Sequence, residues 1–154
     1  MSIEPLETAY GSDYPCCRQL SVFLDNRVGQ LLRLTRLLDG ADIRILALTV
    51  ESSIDCAIVR LLVDKPDEAG KMITDARFAV SETELVVVEL PPGKRGILTA
   101  CQALIIGEVN IHYTYPLLAA RESIPTLAFL VDNHELAVAV LRSRKFKVLD
   151  QSEL

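Results

Sequence analysis

The chain has 154 residues, half of them hydrophobic, with a mean hydropathy of +0.29 and no tryptophan. That composition suits one ordinary domain or two very small ones sharing a core, and it argues against disorder beyond the ends. Sixteen basic against twenty-one acidic residues give a net charge of −5 and a pI near 5.0, the wrong sign for a sequence-independent hold on phosphate backbones.

The start, "MSIEPLETAYGSDYP", has acids and prolines where a signal peptide needs a basic region and an apolar run. No stretch of about 18 apolar residues occurs in the chain, so a cytoplasmic protein without membrane contact is expected. Residues 1–17 read as an arm without a core of its own. Residues 18–25, "RQLSVFLD", read as a strand, and Leu31, Leu34, Leu37 and Leu38 then recur at helical spacing up to Gly40. Two β-branched runs follow, 42–51 and 56–64, joined by the polar turn "SSID". Asp64 is placed to cap the next helix, with Pro66 in its first turn and Asp67 suited to the helix dipole. A short strand, "FAVSE", closes a βαββαβ unit.

The order then repeats. Residues 84–90, 96–107, 109–118, 124–132, 133–146 and 147–150 give strand, helix, strand, strand, helix, strand. Leu62-Val63-Asp64 matches Leu130-Val131-Asp132, Ala69 matches Ala137, and Phe78-x-Val80 matches Phe146-x-Val148, all 68 residues apart; Gly29-x-Leu31 matches Gly96-x-Leu98 at 67. An internal repeat of this kind implies two fused modules with almost no linker, an arm over 1–17 and modules over 18–83 and 84–154.

Four cysteines, Cys16, Cys17, Cys56 and Cys101, fit neither a disulfide framework nor the CxxC pairs of a zinc site. Cys56 in an apolar strand and Cys101 on the buried face of a helix read as structural; a redox role for the adjacent Cys16 and Cys17 is the weaker alternative to a structural one. His112 and His134 read as surface residues. No metal and no cofactor are expected.

Four stretches together resemble the tandem ACT domain family, small regulatory modules that bind amino acids and related metabolites: "LDNRVGQLLRL", "RLLVDKPDEAGKMI", "FAVSETELVVVEL" and "VNIHYTYPL". The resemblance spans about residues 18–150. It implies an α+β fold of two ferredoxin-like βαββαβ modules, each an antiparallel sheet with helices on one face. It also implies a ligand held near the β1-α1 loop at an interface between modules, with no catalysis by the chain itself.

The unpaired amides and positive dipole end of a helix start suit a carboxylate, and a glycine lets it come close to the backbone. In the first loop the amides of Gly29, Gln30 and Leu31 would take an α-carboxylate, with Asp25 or Asn26 accepting from the ammonium. Val28 stands where the family usually has proline. The same residues also satisfy a structural reading in which Gly29 only makes the turn and Asp25 or Asn26 caps the helix. The second loop, at Arg95, Gly96, Ile97 and Leu98, lacks the acidic acceptor, and its basic residues suit a dicarboxylate, phosphate or nucleotide, or an empty site. Asn110 falls where the family often has a ligand-facing asparagine, with Asp42 as its first-module match. Tyr113 and Tyr115 share one strand face and either line a ligand or pack in a core or interface.

Strands such as "AIVRLLV", "LVVV" and "TLAFLV" are apolar on both faces, so the face away from the helices needs a cover. Module-on-module packing supplies part of it, and a homodimer is expected to supply the rest. Two other functions stay open. One is an interaction subunit of a biosynthetic enzyme such as acetolactate synthase with no ligand of its own; the other, less favoured, is an acylphosphatase-like enzyme, for which no triad or phosphate loop is present.

Overall fold

The computed structural model describes residues 14–118 and 121–154. The elements follow the expected order: β1 (Cys17–Asp25), α1 (Gln30–Gly40), β2 (Ile45–Ser52), β3 (Cys56–Val63), α2 (Pro66–Asp75), β4 (Ala79–Glu89), α3 (Gly96–Ile106), β5 (Ile111–Pro116), β6 (Thr126–Val131), α4 (His134–Ser143) and β7 (Val148–Leu149). The fold is α+β, with four helices on an antiparallel sheet.

The strands expected at 78–82 and 84–90 are one strand. The first part of β4, Ala79 to Leu85, pairs with β1, and its last part, Val86 to Glu89, pairs with β6 and β7. The two module sheets therefore merge into a single seven-stranded sheet with the path β2-β3-β1-β4-β6-β5 and β7 beside β4. The polar stretch "SETE" resembles a turn in sequence, yet it stays extended because β1 lies alongside it and Arg18 bonds Glu82. The expected border at 83/84 falls inside this strand.

The backbone repeats as well. After α1 and α3, Asp42 and Glu108 both take a left-handed φ of 57°; after α2 and α4, Arg77 and Lys145 both take 66°. In each case the next residue's N–H reaches back into the helix, Phe78 to the Ile73 carbonyl and Phe146 to the Leu141 carbonyl. Such left-handed residues end a helix by turning the chain out of it. Asp64 does not cap α2. Its carboxylate accepts from the Arg44 N–H at 2.9 Å, and in the second half Asp132 does the same for the Asn110 N–H at 3.0 Å. Among α1 to α4 only α4 has a side-chain cap, Asn133, which accepts from the Leu136 N–H.

Two cores lie under the helices. Leu34, Leu38, Ala69 and Ile73 from α1 and α2 meet Val22, Val59 and Leu61; Ala100, Leu104, Val138 and Leu141 from α3 and α4 meet Val86, Val88 and Phe129. A third core contains no helical residue. Cys17, Ala47, Leu62 and Leu85 pack with Val87, Tyr115, Ala128 and Leu149 on the opposite face of the sheet. The sheet curls until its edge strands β2 and β5 touch, and the Leu118 N–H donates to the Leu46 carbonyl at 2.7 Å. Module-on-module packing within one chain thus covers the second apolar face, each buried Leu or Val contributing roughly 1.5–3 kcal/mol.

Candidate functional site

In the first loop, β1 ends at Asp25 and four residues lead into α1. Gly29 sits at the N-cap with φ 88°, a conformation that side chains beyond glycine, asparagine and aspartate rarely adopt. The candidate cap residues are occupied elsewhere. The Asp25 carboxylate pairs with the Arg27 guanidinium at 2.9 Å, and the Asn26 amide donates to the Ser53 and Ile54 carbonyls, fastening the loop to the β2-β3 hairpin. No side chain caps α1. The Gln30 N–H makes a long 3.4 Å bond to the Arg27 carbonyl, whereas the amides of Gly29 and Leu31 have no partner among the described residues. Around them Val28, Leu31, Leu32 and Ile54 are exposed. This leaves bare donors beside bare apolar side chains. Residues 25–31 line none of the clefts described below or at α1 and α2.

The second loop is built differently. Its left-handed residue is Gly93, φ 99°, and α3 starts at Gly96 after an exposed Arg95 at the N-cap. Helix starts at Gln30 and Gly96, and buried pairs Leu34/Ala100 and Leu38/Leu104, all lie 66 apart, so Gly96 corresponds to Gln30 and not to Gly29. Gly96 is buried: a Cβ there would meet the Pro91 carbonyl oxygen at 3.0 Å and the Leu90 Cβ at 3.1 Å. Its missing side chain answers to packing. Leu98 is exposed, and Ile97 lines a cleft of about 690 Å³ with Arg44 from the other module, Leu90, Leu118, Ile124 and Thr126.

Asn110 is exposed at the entry to β5. Its first-module counterpart is Arg44 and not Asp42, because each gives its backbone N–H to the aspartate that ends the neighbouring strand. Arg44 was hidden from sequence reasoning by that shift of register. The tyrosines belong to the interface between modules. Gln19 of β1, fully buried, donates to the Tyr113 hydroxyl at 2.8 Å and accepts from the Tyr115 hydroxyl at 2.6 Å. The Arg60 guanidinium lies 4.4 Å from the Tyr113 ring centroid and pairs with Glu51 at 2.8 Å. Burial, with Tyr113 beside it, pushes the Tyr115 hydroxyl well above the usual tyrosine range.

Other side chains depart from expectation. Cys56 is exposed and 3.4 Å from the Ser53 hydroxyl, at the turn end of the hairpin; Cys101 is half-buried. Cys17 is fully buried, its thiol pushed up by burial and by the nearby Asp150 charge, which disfavours the thiolate that redox exchange needs. His134 is half-buried, its ring against Tyr14 and its Nε2 2.9 Å from the Pro15 carbonyl oxygen, so residues 14–17 are held by the second module; the rest of the expected arm lies outside the described residues. His112 is exposed. Among the described residues no His, Cys, Asp and Glu cluster could hold a metal, and no helix is long and apolar enough to cross a membrane.

The family model for the ACT domain pair matches residues 16–154. The structure is similar to protein BT0572 from Bacteroides thetaiotaomicron, with a TM-score of 0.84 and 29% identity over 92% of this chain and 97% of that one. It shares its fold with the ligand-free regulatory subunit of aspartate kinase from Thermus thermophilus, at a TM-score of 0.60 and 15% identity over 86% and 93% of the two chains. The Thermus flavus counterpart gives 0.54 and 11% over 85% and 93%. No curated protein matches the chain.

Proposed function

The chain belongs to the family of ACT domain pairs, and from that premise we propose that it is a non-catalytic regulatory protein of the cytoplasm that binds an amino acid or a related small carboxylate. The observation that carries this reading is the start of α1: bare amides at Gly29 and Leu31, at the positive end of the helix dipole, on a loop locked in place by Asn26. The carboxylate would sit on those amides. The exposed Val28, Leu31, Leu32 and Ile54 around them support a homodimer in which a second copy walls the site, since a single chain has an open surface there. The fold shared with regulatory subunits of aspartate kinase supports a role in controlling an enzyme.

The cleft of about 690 Å³ between Ile97 and Arg44 supports a second place for a small carboxylate without an ammonium group, its guanidinium offering donors where the second loop has no acidic acceptor. A guanidinium pairs with a carboxylate through two parallel hydrogen bonds, so this place suits a dicarboxylate.

The test is thermal unfolding in the presence of each of the twenty amino acids and of small keto acids and dicarboxylates. A ligand at 100 times its Kd adds about 2.7 kcal/mol of stability. Gly29→Val removes the shift if the first loop binds, and Arg44→Ala removes it if the cleft does. A shift that survives both substitutions, or the lack of any shift, overturns the reading.

A further inference from the structure

The duplication provides an internal control for what each surface position must do. At the positions where α1 exposes Arg36, Asp39 and Gly40, α3 carries Gln102, Ile105 and Ile106, and the two isoleucines are 70% and 61% exposed. The scaffold does not need them, because the same helix position accepts a charge in the other module. The neighbouring segment has diverged in parallel: Thr74, Ala76 and Ala79 of the first module become Arg142, Arg144 and Lys147 in the second. The apolar pair on α3 and the cations Arg142, Arg144 and Lys147 are thus peculiar to the second module, while Lys145 matches a cation, Arg77, in the first.

They meet in one groove. A cleft of about 550 Å³ lined by Gln102, Ala103, Ile105 and Ile106 shares Thr99, Arg144 and Phe146 with a cleft of about 320 Å³ that adds Lys145 and Lys147. Among the described residues Lys147 approaches Glu89 and Glu153 at 4.0 Å, while Arg142, Arg144 and Lys145 have no ion pair. We propose that this groove is a docking site for an acidic amphipathic helix of a partner protein, apolar residues of the helix on Ile105 and Ile106 and carboxylates on Arg144 and Lys145, which line it. A chain of net charge −5 that gathers free cations around an apolar groove is complementary to an anionic, amphipathic occupant. A two-fold contact between copies through this face would instead bring two sets of these cations together. Leu90 lines both this groove and the cleft at Ile97 and Arg44, but Ile105, Ile106 and Arg144 line only the groove, so the variants below test it without touching either proposed ligand place.

The probe is a labelled synthetic helical peptide of about three turns, leucines on one face and glutamates flanking them. Fluorescence anisotropy with the full chain should show saturable binding that weakens with salt and by about tenfold or more in Ile105→Asp and in Arg144→Glu. Ile105→Asp puts in the charge that Asp39 carries in α1, and circular dichroism should show the fold retained. Equal binding of a peptide with lysines in place of glutamates, or unchanged binding by either variant, overturns the proposal. So does a shift from dimer to monomer in sedimentation velocity on Ile105→Asp, which would assign the face to a second copy.

Discussion

The Tyr115 hydroxyl donates to the Gln19 side-chain carbonyl at 2.6 Å, joining a strand of the second module to a fully buried glutamine of the first. Gln19→Leu keeps the volume and removes the partner of two hydroxyls. Leaving such groups unsatisfied costs about 1–3 kcal/mol, whereas replacing both partners is far less costly. Urea unfolding should show Gln19→Leu destabilised and Gln19→Leu combined with Tyr115→Phe less destabilised than the two single changes added together.

The two glycines of the helix starts should respond in opposite ways to substitution. At Gly29 nothing lies within 4 Å of a new Cβ, so the cost is backbone conformation alone. Gly29→Ala should lose about 1–2 kcal/mol and Gly29→Asn clearly less, since asparagine tolerates left-handed φ. At Gly96 the conformation is ordinary and the space is full. Both Gly96→Ala and Gly96→Asn should destabilise by roughly 1–3 kcal/mol through overpacking, the larger side chain more.

Alkaline pH should loosen the junction of the modules. Burial raises the pKa of Cys17 and of Tyr115 in the folded chain, so both prefer to stay neutral there, while unfolded cysteine and tyrosine ionise near about 8.5 and 10. The unfolded state then binds fewer protons, and stability falls as pH rises. Their contribution is complete below those unfolded values. Melting temperature should decline above about pH 8.5 and more steeply above about pH 10, and Cys17→Ala should remove the first part of the decline and Tyr115→Phe the second. A flat profile to pH 11 would contradict this.

Asp64 and Asp132 perform one task twice, each accepting from the backbone N–H at the entry to a neighbouring strand. Their equivalence should appear in matched costs. Asp64→Ala and Asp132→Ala should each lose about 1 kcal/mol at these exposed sites, adding independently because they sit in different modules.

The repeat was legible from the chain because helix-end packing residues such as Phe78 and Phe146 sit in the same place in both halves. The register of the second helix start was not. Spacing is 66 through α1 and α3 and 68 through α2 and α4, so a glycine match at 67 joins residues with different duties, one turning the chain and one making room for Leu90 and Pro91. Gln19 illustrates another limit: in "RQLSVFLD" a polar residue alternating with apolar ones signals a solvent face, and only the second module folding over that face buries it. The candidate loop at Asp25 to Leu31 could be found from sequence, but what holds Asp25 and Asn26, and the meeting of Arg44 with Ile97 across a cleft, depend on contacts between distant segments.

A strand of eleven residues that belongs to both halves has a mechanical meaning. Ala79 to Glu89 acts as a common spar: β1 is hung on one end of it, and β6 and β7 on the other. Neither half can melt while the other stays whole, so heat should dismantle the protein in one cooperative step. The same strand runs straight from the end of α2 into the loop that opens α3.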